Sequence, residues 1–400
     1  MSQSAAERER VVVVGAGVAG LEFAFALADQ AGDRAEITVV APQDEFHLKP
    51  MVVAEPFGGG GAVERYPFAS ELQRRGISHV RDSVTAINAK RRRLTLLSGP
   101  YLEYDTVAVC IGGVARPAYS LATTFWSTSS YFPVDEYIRG AAASDSGVLA
   151  LIIPPSTTWP LPMYELALLL RRRAEELDRA VRIRVFTPER APLAIFGDSA
   201  SAAVAARLRA REIEVEAETA VDALDGKLRR RGGAAIEAGR AIALPIIDGP
   251  ALQRLPRDEF GFIPVDDHSR VLGLEHVYAA GDGTSFPIKQ GGIAALQADA
   301  AAAHLASALG APVDPVPFRP VLRGELLTGD DSLMMVHEVG GDGAEDTVSG
   351  DYLWWPRLKV AGRYLSAWLT GSEPQEDLSP RELPIEVEAS WPHSWHSQVL

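Results

Sequence analysis

Four hundred residues, 47% of them hydrophobic, suffice for two or three domains with full cores. The 39 basic and 53 acidic residues leave a formal charge of −14, which argues against a nucleic-acid surface and against strong attachment to anionic membranes. A single cysteine, Cys110, excludes a disulfide framework and an intrachain redox pair, and fits a reducing cytoplasm. Residues 1–10 are polar and charged, unlike a signal peptide. No run of about 18 uncharged apolar residues predicts a transmembrane helix.

The first element is Val11, Val12, Val13 and Val14, whose four β-branched side chains predict a buried parallel strand. Gly15, Ala16, Gly17, Val18, Ala19 and Gly20 follow, with the G-x-G-x-x-G spacing, and an apolar helix opens at Leu21. In this pattern Gly15 permits the tight turn and Gly17 lets a pyrophosphate approach the backbone. Gly20 lets helix and strand pack closely, and the helix N-terminus offers N–H groups to the phosphates. The context of strand, turn and helix predicts a dinucleotide site. Residues 37–40 predict the second strand. An acidic residue for the adenosine ribose is expected next, but Ala41 and Pro42 stand there; Asp44 and Glu45 come late, in the following loop. The ribose is thereby left to backbone groups or water.

Residues 58–61 read as a flexible glycine loop, 68–75 as a short helix and 79–87 as one alternating strand. Residues 94–97 and 101–103 read as a hairpin around Ser98, Gly99 and Pro100. Residues 104–113 form a further buried strand ending in Gly112 and Gly113, with Cys110 inside it as a small apolar residue. A second α/β unit follows: strand 148–153, helix 163–176, strand 181–186, helix 199–210 and strand 213–217. Its first turn, 154–162, holds four prolines and Trp159 instead of glycines. Prolines remove backbone donors, and Trp159 adds bulk where a pyrophosphate needs close approach.

A strand is expected at 240–245 and a strand and turn at 261–266, then the segment 277–283, then an alanine-rich helix to about residue 309. Two strands follow residue 317, a short helix ends near residue 369, and the tail is acidic and rich in proline. His393 and His396 lack further ligands at metal spacing, so no metal site is expected. Residues 197–201 read as a helix N-cap and not as a nucleophile elbow.

The glycine motif, the 104–113 strand and the 278–283 segment together resemble the FAD-dependent pyridine nucleotide-disulfide oxidoreductase superfamily, over roughly residues 9–310. Within it the chain most resembles sulfide:quinone oxidoreductases and type II NADH dehydrogenases, on residues 46–50, on Lys289, Gln290 and Gly291 opening a helix, and on the tryptophan-containing C-terminal region. The resemblance implies FAD bound non-covalently, with its adenine near Val84, Gly112 where the chain crosses between domains, and Gly281 and Asp282 at the ribityl or phosphate. It also implies that the isoalloxazine lies between Lys49–Pro50 and the helix start at Lys289. There, N–H groups and the lysine stabilise the charge of the reduced flavin. Three departures stand against full transfer: the paired cysteines of sulfide oxidation are absent, C-terminal membrane helices are not evident, and the second glycine motif is replaced.

The same resemblance pairs Lys49 with Glu165, holding a proton donor beside the flavin; the plainer reading is two surface charges on a loop and a helix. The expected architecture is α/β, with two Rossmann-like dinucleotide-binding domains. These are an FAD domain in two parts (9–115 and 241–310), an inserted NAD(P)-binding-like domain (116–240) and a C-terminal interface region with its tail (311–400). The expected function is an oxidoreductase passing two electrons from NAD(P)H through FAD to a quinone or another small acceptor. The rivals are a different two-electron substrate with no nicotinamide site, and a flavin-bound scaffold with little turnover. A homodimer and a peripheral membrane contact through residues 354–369 are left open.

Overall fold

A computed structural model describes residues 8–57, 65–125, 132–250, 252–339, 346–375 and 378. The glycine loop at 58–61, the histidines at 393 and 396 and most of the acidic tail lie outside the described residues.

The valines at 11–14 are at most 2% exposed, as a strand covered on both faces requires. Strand Glu9–Val14 lies at the centre of a five-stranded parallel sheet, between Ala35–Val40 and Thr106–Val109, with Ser78–Val80 and Val277–Ala279 at the edges. The helices are α1 (Val18–Ala31), α2 (Ala69–Arg74), α3 (Val134–Ala142), α4 (Leu161–Glu176), α5 (Asp198–Ala210), α6 (Gly291–Ala308) and α7 (Arg363–Thr370). Val11 and Val13 face α1 and α6, which pack along each other; their buried alanines allow close approach. Val12 and Val14 face the other way, onto Ile87, Leu94 and Leu96 of a three-stranded antiparallel meander.

A second parallel sheet joins Thr123–Thr124, Arg240–Ala243, Val148–Ile152, Arg182–Phe186 and Glu214–Glu216. α3, α4 and α5 cover one face, while Val221 and Leu228 cover the other. A three-stranded antiparallel sheet of Val321–Leu326, Leu333–Glu338 and Asp346–Ser349 follows. α7 then returns to α1, where the buried Glu22 accepts the N–H groups of Tyr364 (2.8 Å) and Leu365 (2.6 Å) at the α7 N-terminus. Burial raises the Glu22 carboxyl; burial and the neighbouring Glu22 charge push Asp299 of α6 well above the usual range. Trp368 closes the joint against Phe25, Phe46 and Tyr66, at centroid distances of 5.7, 6.2 and 6.0 Å.

Four expected elements differ. The strand expected at 79–87 is two strands in different sheets, because Asp82 turns the chain by accepting the Ser83 N–H at 2.7 Å. Glu45 lies in the short strand Glu45–His47, not in a loop. Residues 261–266 make only isolated bridges, Ile263 to Thr284 and Val265 to Val271. Among the described residues, three strands, not two, follow residue 317.

Candidate active site

The first glycine loop divides its work as its spacing implies. Gly15 takes φ +104°, and a Cβ there would lie 2.4 Å from the Cys110 carbonyl oxygen. A Cβ on Gly20 would lie 1.9 Å from the Gly15 carbonyl oxygen, so both positions admit only glycine. A Cβ on Gly17 would meet nothing within 4 Å, and Gly17 is the N-cap of α1 with no side-chain cap of its own. Ala16 is buried beneath the loop, and Val18 and Ala19 begin the helix. The open face at Gly17 and the uncapped helix end fit the phosphates of a dinucleotide. Beside it, Ala41 and Pro42 offer carbonyls already engaged by His79 (3.1 Å) and Arg81 (3.3 Å), and Asp44 pairs with Arg81 at 3.0 Å. Val84 opens the meander next to this corner.

Two further loops meet α1. Gly112 takes φ +72°, and Gly281 takes φ +86° with its Cβ position 3.1 Å from the Cβ of Ala19 and 3.4 Å from that of Ala294. The starts of α1 and α6 thus converge on Gly281. Gln297 of α6, which sequence reasoning missed, locks the loop: its Oε1 accepts the Gly281 N–H at 2.8 Å and its Nε2 donates to Thr284 at 3.2 Å. Its only sequence signal is a lone glutamine in an alanine-rich helix. Burial raises the carboxyl of Asp282, while the ammonium groups of Lys289 and Lys49 oppose that rise. Lys49 is exposed and Pro50 half-buried; they begin a 3₁₀ turn, Lys49–Val53, whose Val52 and Val53 are buried and which packs on α4.

The helix start at residue 289 departs from expectation. The Lys289 ammonium donates to the carbonyls of Thr284 (2.5 Å) and Phe286 (2.6 Å) and sits 3.7 Å from the Phe262 ring centroid. Burial lowers it to about 8, against the pull of Asp282 and Asp258. Lys289 is therefore a clasp that shapes the loop before α6, not an ammonium directed outward from the helix start. Gln290 is the N-cap: its side chain accepts the Ile293 N–H at 2.8 Å and donates to the Arg323 carbonyl at 3.1 Å. Gly291 makes room for Val360, whose Cγ2 lies 2.9 Å from the position of a Cβ there.

Glu165 is 1% exposed, and its ammonium partner is Lys359, not Lys49. It also accepts the Leu327 N–H at 2.9 Å. Burial raises the carboxyl to about 7; Lys359 and the Leu327 N–H oppose this, and Glu325 adds to it. A second pair, Arg357 with Glu325 at 3.2 Å, lies alongside. Lys359 adjoins Val360, so the Glu165–Lys359 pair stands beside the α6 N-terminus.

The turn before α4 offers little to a pyrophosphate. Pro160 is the N-cap of α4, Pro162 falls in its first turn, and the Met163 N–H is given to the Pro160 carbonyl at 3.0 Å. Trp159 packs edge-on against Phe196 at 5.6 Å. The N-terminus of α5 is taken by Asp346, which accepts from Ser199 at 2.6 Å. Cys110 is buried and pushed up to about 12 by that burial, so it is not a reactive thiol.

Two parallel α/β sheets, a glycine-lined cradle and a converging second helix N-terminus define a protein with two dinucleotide-binding folds. Residues 2–151 match the family described as pyridine nucleotide-disulphide oxidoreductase. An NADH dehydrogenase-like protein of Mycobacterium tuberculosis is 26% identical over 294 residues, covering 68% of this chain and 72% of that protein. A type II NADH:quinone oxidoreductase of Staphylococcus epidermidis is 30% identical over 115 residues, 28% of each chain. The fold is similar to that of the sulfide:quinone oxidoreductase of Aquifex aeolicus, with TM-score 0.73, 17% identity and coverage of 86% of this chain and 87% of that one. Among the described residues, no helix is long and apolar enough to cross a membrane.

Proposed function

We propose that this flavoenzyme takes two electrons from NAD(P)H and delivers them to a quinone or a comparably small acceptor. The observation that carries the acceptor half is the buried Glu165–Lys359 pair, set among apolar residues such as Leu161, Leu326 and Leu327. When bound, the flavin supplies the two-electron chemistry; the protein supplies orientation and protons. Reduction of a quinone consumes two protons. A carboxyl near 7 can hold one at neutral pH and release it to an adjacent oxygen, and Lys359 then stabilises the carboxylate left behind. Lys49 and Asp282 hold opposite charges at the flavin's other boundary. The donor half is supported by the second parallel sheet and by the names of the relatives. The single buried thiol supports a cytoplasmic setting.

A second reading is favoured by the proline turn before α4: another small two-electron substrate takes the place of the nicotinamide. Anaerobic stopped-flow absorbance of the FAD-loaded enzyme separates the two. Bleaching of the flavin band near ~450 nm by NADH or NADPH on a turnover timescale supports the first reading and makes quinones the next test. No bleaching by either, with dithionite still reducing the flavin, overturns the NAD(P)H donor.

A further inference from the structure

We propose that the cleft walled by Arg10, Arg91 and Arg92 and floored by Tyr104 binds a small phosphorylated polyanion, at the end of the first sheet opposite the flavin cradle. Its volume is about 510 Å³, within the ~300–1,000 Å³ usual for small-molecule sites. Arg10 lies near the start of the strand whose other end is Gly15; at about 3.3 Å per residue the two ends are about 16 Å apart. The cleft is therefore no part of the cradle.

The charges in it do not cancel. Arg10 spans Asp105 with two hydrogen bonds of 2.9 and 2.8 Å, and Arg93 spans Glu103 at 3.0 and 2.7 Å. Lys90, Arg91 and Arg92 are exposed, and among the described residues none has a carboxylate within ion-pair distance. Three positive charges thus face one cleft in a chain of charge −14. The turn that presents them is built: Asn88 accepts the Arg91 N–H at 3.1 Å, and Arg92 holds a left-handed φ of 48°, an uncommon conformation for a residue with a side chain.

The second observation is Tyr104. It is 1% exposed and lines the cleft, and its hydroxyl has no hydrogen-bond partner among the described residues. A buried orphan hydroxyl calls for a partner. A phosphate oxygen between this phenol and the Arg92 guanidinium would accept from both. The recessed phenol favours a small anion over a membrane or a nucleic acid, which would meet only the exposed cations.

The test titrates inorganic pyrophosphate into the FAD-loaded enzyme at low ionic strength by calorimetry, with the wild type, Arg92→Gln and Tyr104→Phe. Saturable binding that weakens about tenfold in Arg92→Gln, and several-fold in Tyr104→Phe, with FAD content unchanged, is the expected result. No saturable binding up to about 1 mM, or equal binding by all three proteins, overturns the proposal. So does cosedimentation with phosphatidylglycerol vesicles that Arg92→Gln abolishes and pyrophosphate leaves untouched, which would make this a membrane-docking face. Arg92 is exposed, so its variant serves even if Tyr104→Phe folds poorly.

Discussion

Replacing Lys359 with methionine removes the counter-charge of Glu165 and keeps an unbranched side chain in its place. In the wild type, the carboxyl is raised from 4.5 to about 7, so the full cost of ionising it is about 3 kcal/mol. Because the folded value is the higher one, that stability is fully present below 4.5 and is lost as pH rises through about 7. Without Lys359 the carboxyl stays protonated to higher pH, and the loss continues at about 1.4 kcal/mol per pH unit. The variant should therefore differ from the wild type by close to zero at pH 6, about 1.4 kcal/mol at pH 8 and about 2.7 kcal/mol at pH 9. A change in packing shifts all three points equally. Urea unfolding of the FAD-loaded proteins across this range measures the slope. A difference that stays flat from pH 6 to pH 9 would refute the assignment of Glu165 as the titrating group.

Three further outcomes are expected. Gly17→Ala should fold with near-normal stability but purify with less flavin, whereas Gly20→Ala, whose Cβ would lie 1.9 Å from a carbonyl oxygen, should fail to assemble the cradle; the ratio of flavin to protein absorbance reads both. Glu22→Ala strands two buried N–H groups and should cost about 2–4 kcal/mol, with tryptophan fluorescence shifting to the red as Trp368 loosens; unchanged fluorescence and stability would remove α7 docking from the account. Cys110 should resist Ellman's reagent at pH 8 until the chain is unfolded, since burial holds its thiol near 12; fast labelling of the native protein would contradict that burial.

The first strand and its glycine loop are legible because seventeen consecutive residues, 11–27, carry every determinant: β-branched side chains, three spaced glycines and an apolar helix. The proline turn before α4 is legible for the same reason, as missing donors are visible in the residues themselves. Glu165 was legible as a candidate, but its partner was not, since Lys359 lies 194 residues away and only the third sheet and the segment before α7 bring it home. Lys289 shows the opposite failure. Its position at a helix start is local information, but the direction of its side chain is decided by two carbonyls and by Phe262, which the sequence does not place. The strand expected at 79–87 broke at Asp82 and Ser83, residues whose turn-forming chemistry competes with an alternating pattern.

Glu22 ties the order of synthesis to the binding of the cofactor. The helix that opens on the phosphates leaves the ribosome among the first residues, carrying a carboxylate made for a groove that is still open to water. The backbone groups that close over it arrive more than 340 residues later, with Tyr364 and Leu365. A chain that stops before α7 would leave the Glu22 carboxylate without these two donors, on the very helix whose start forms the glycine cradle.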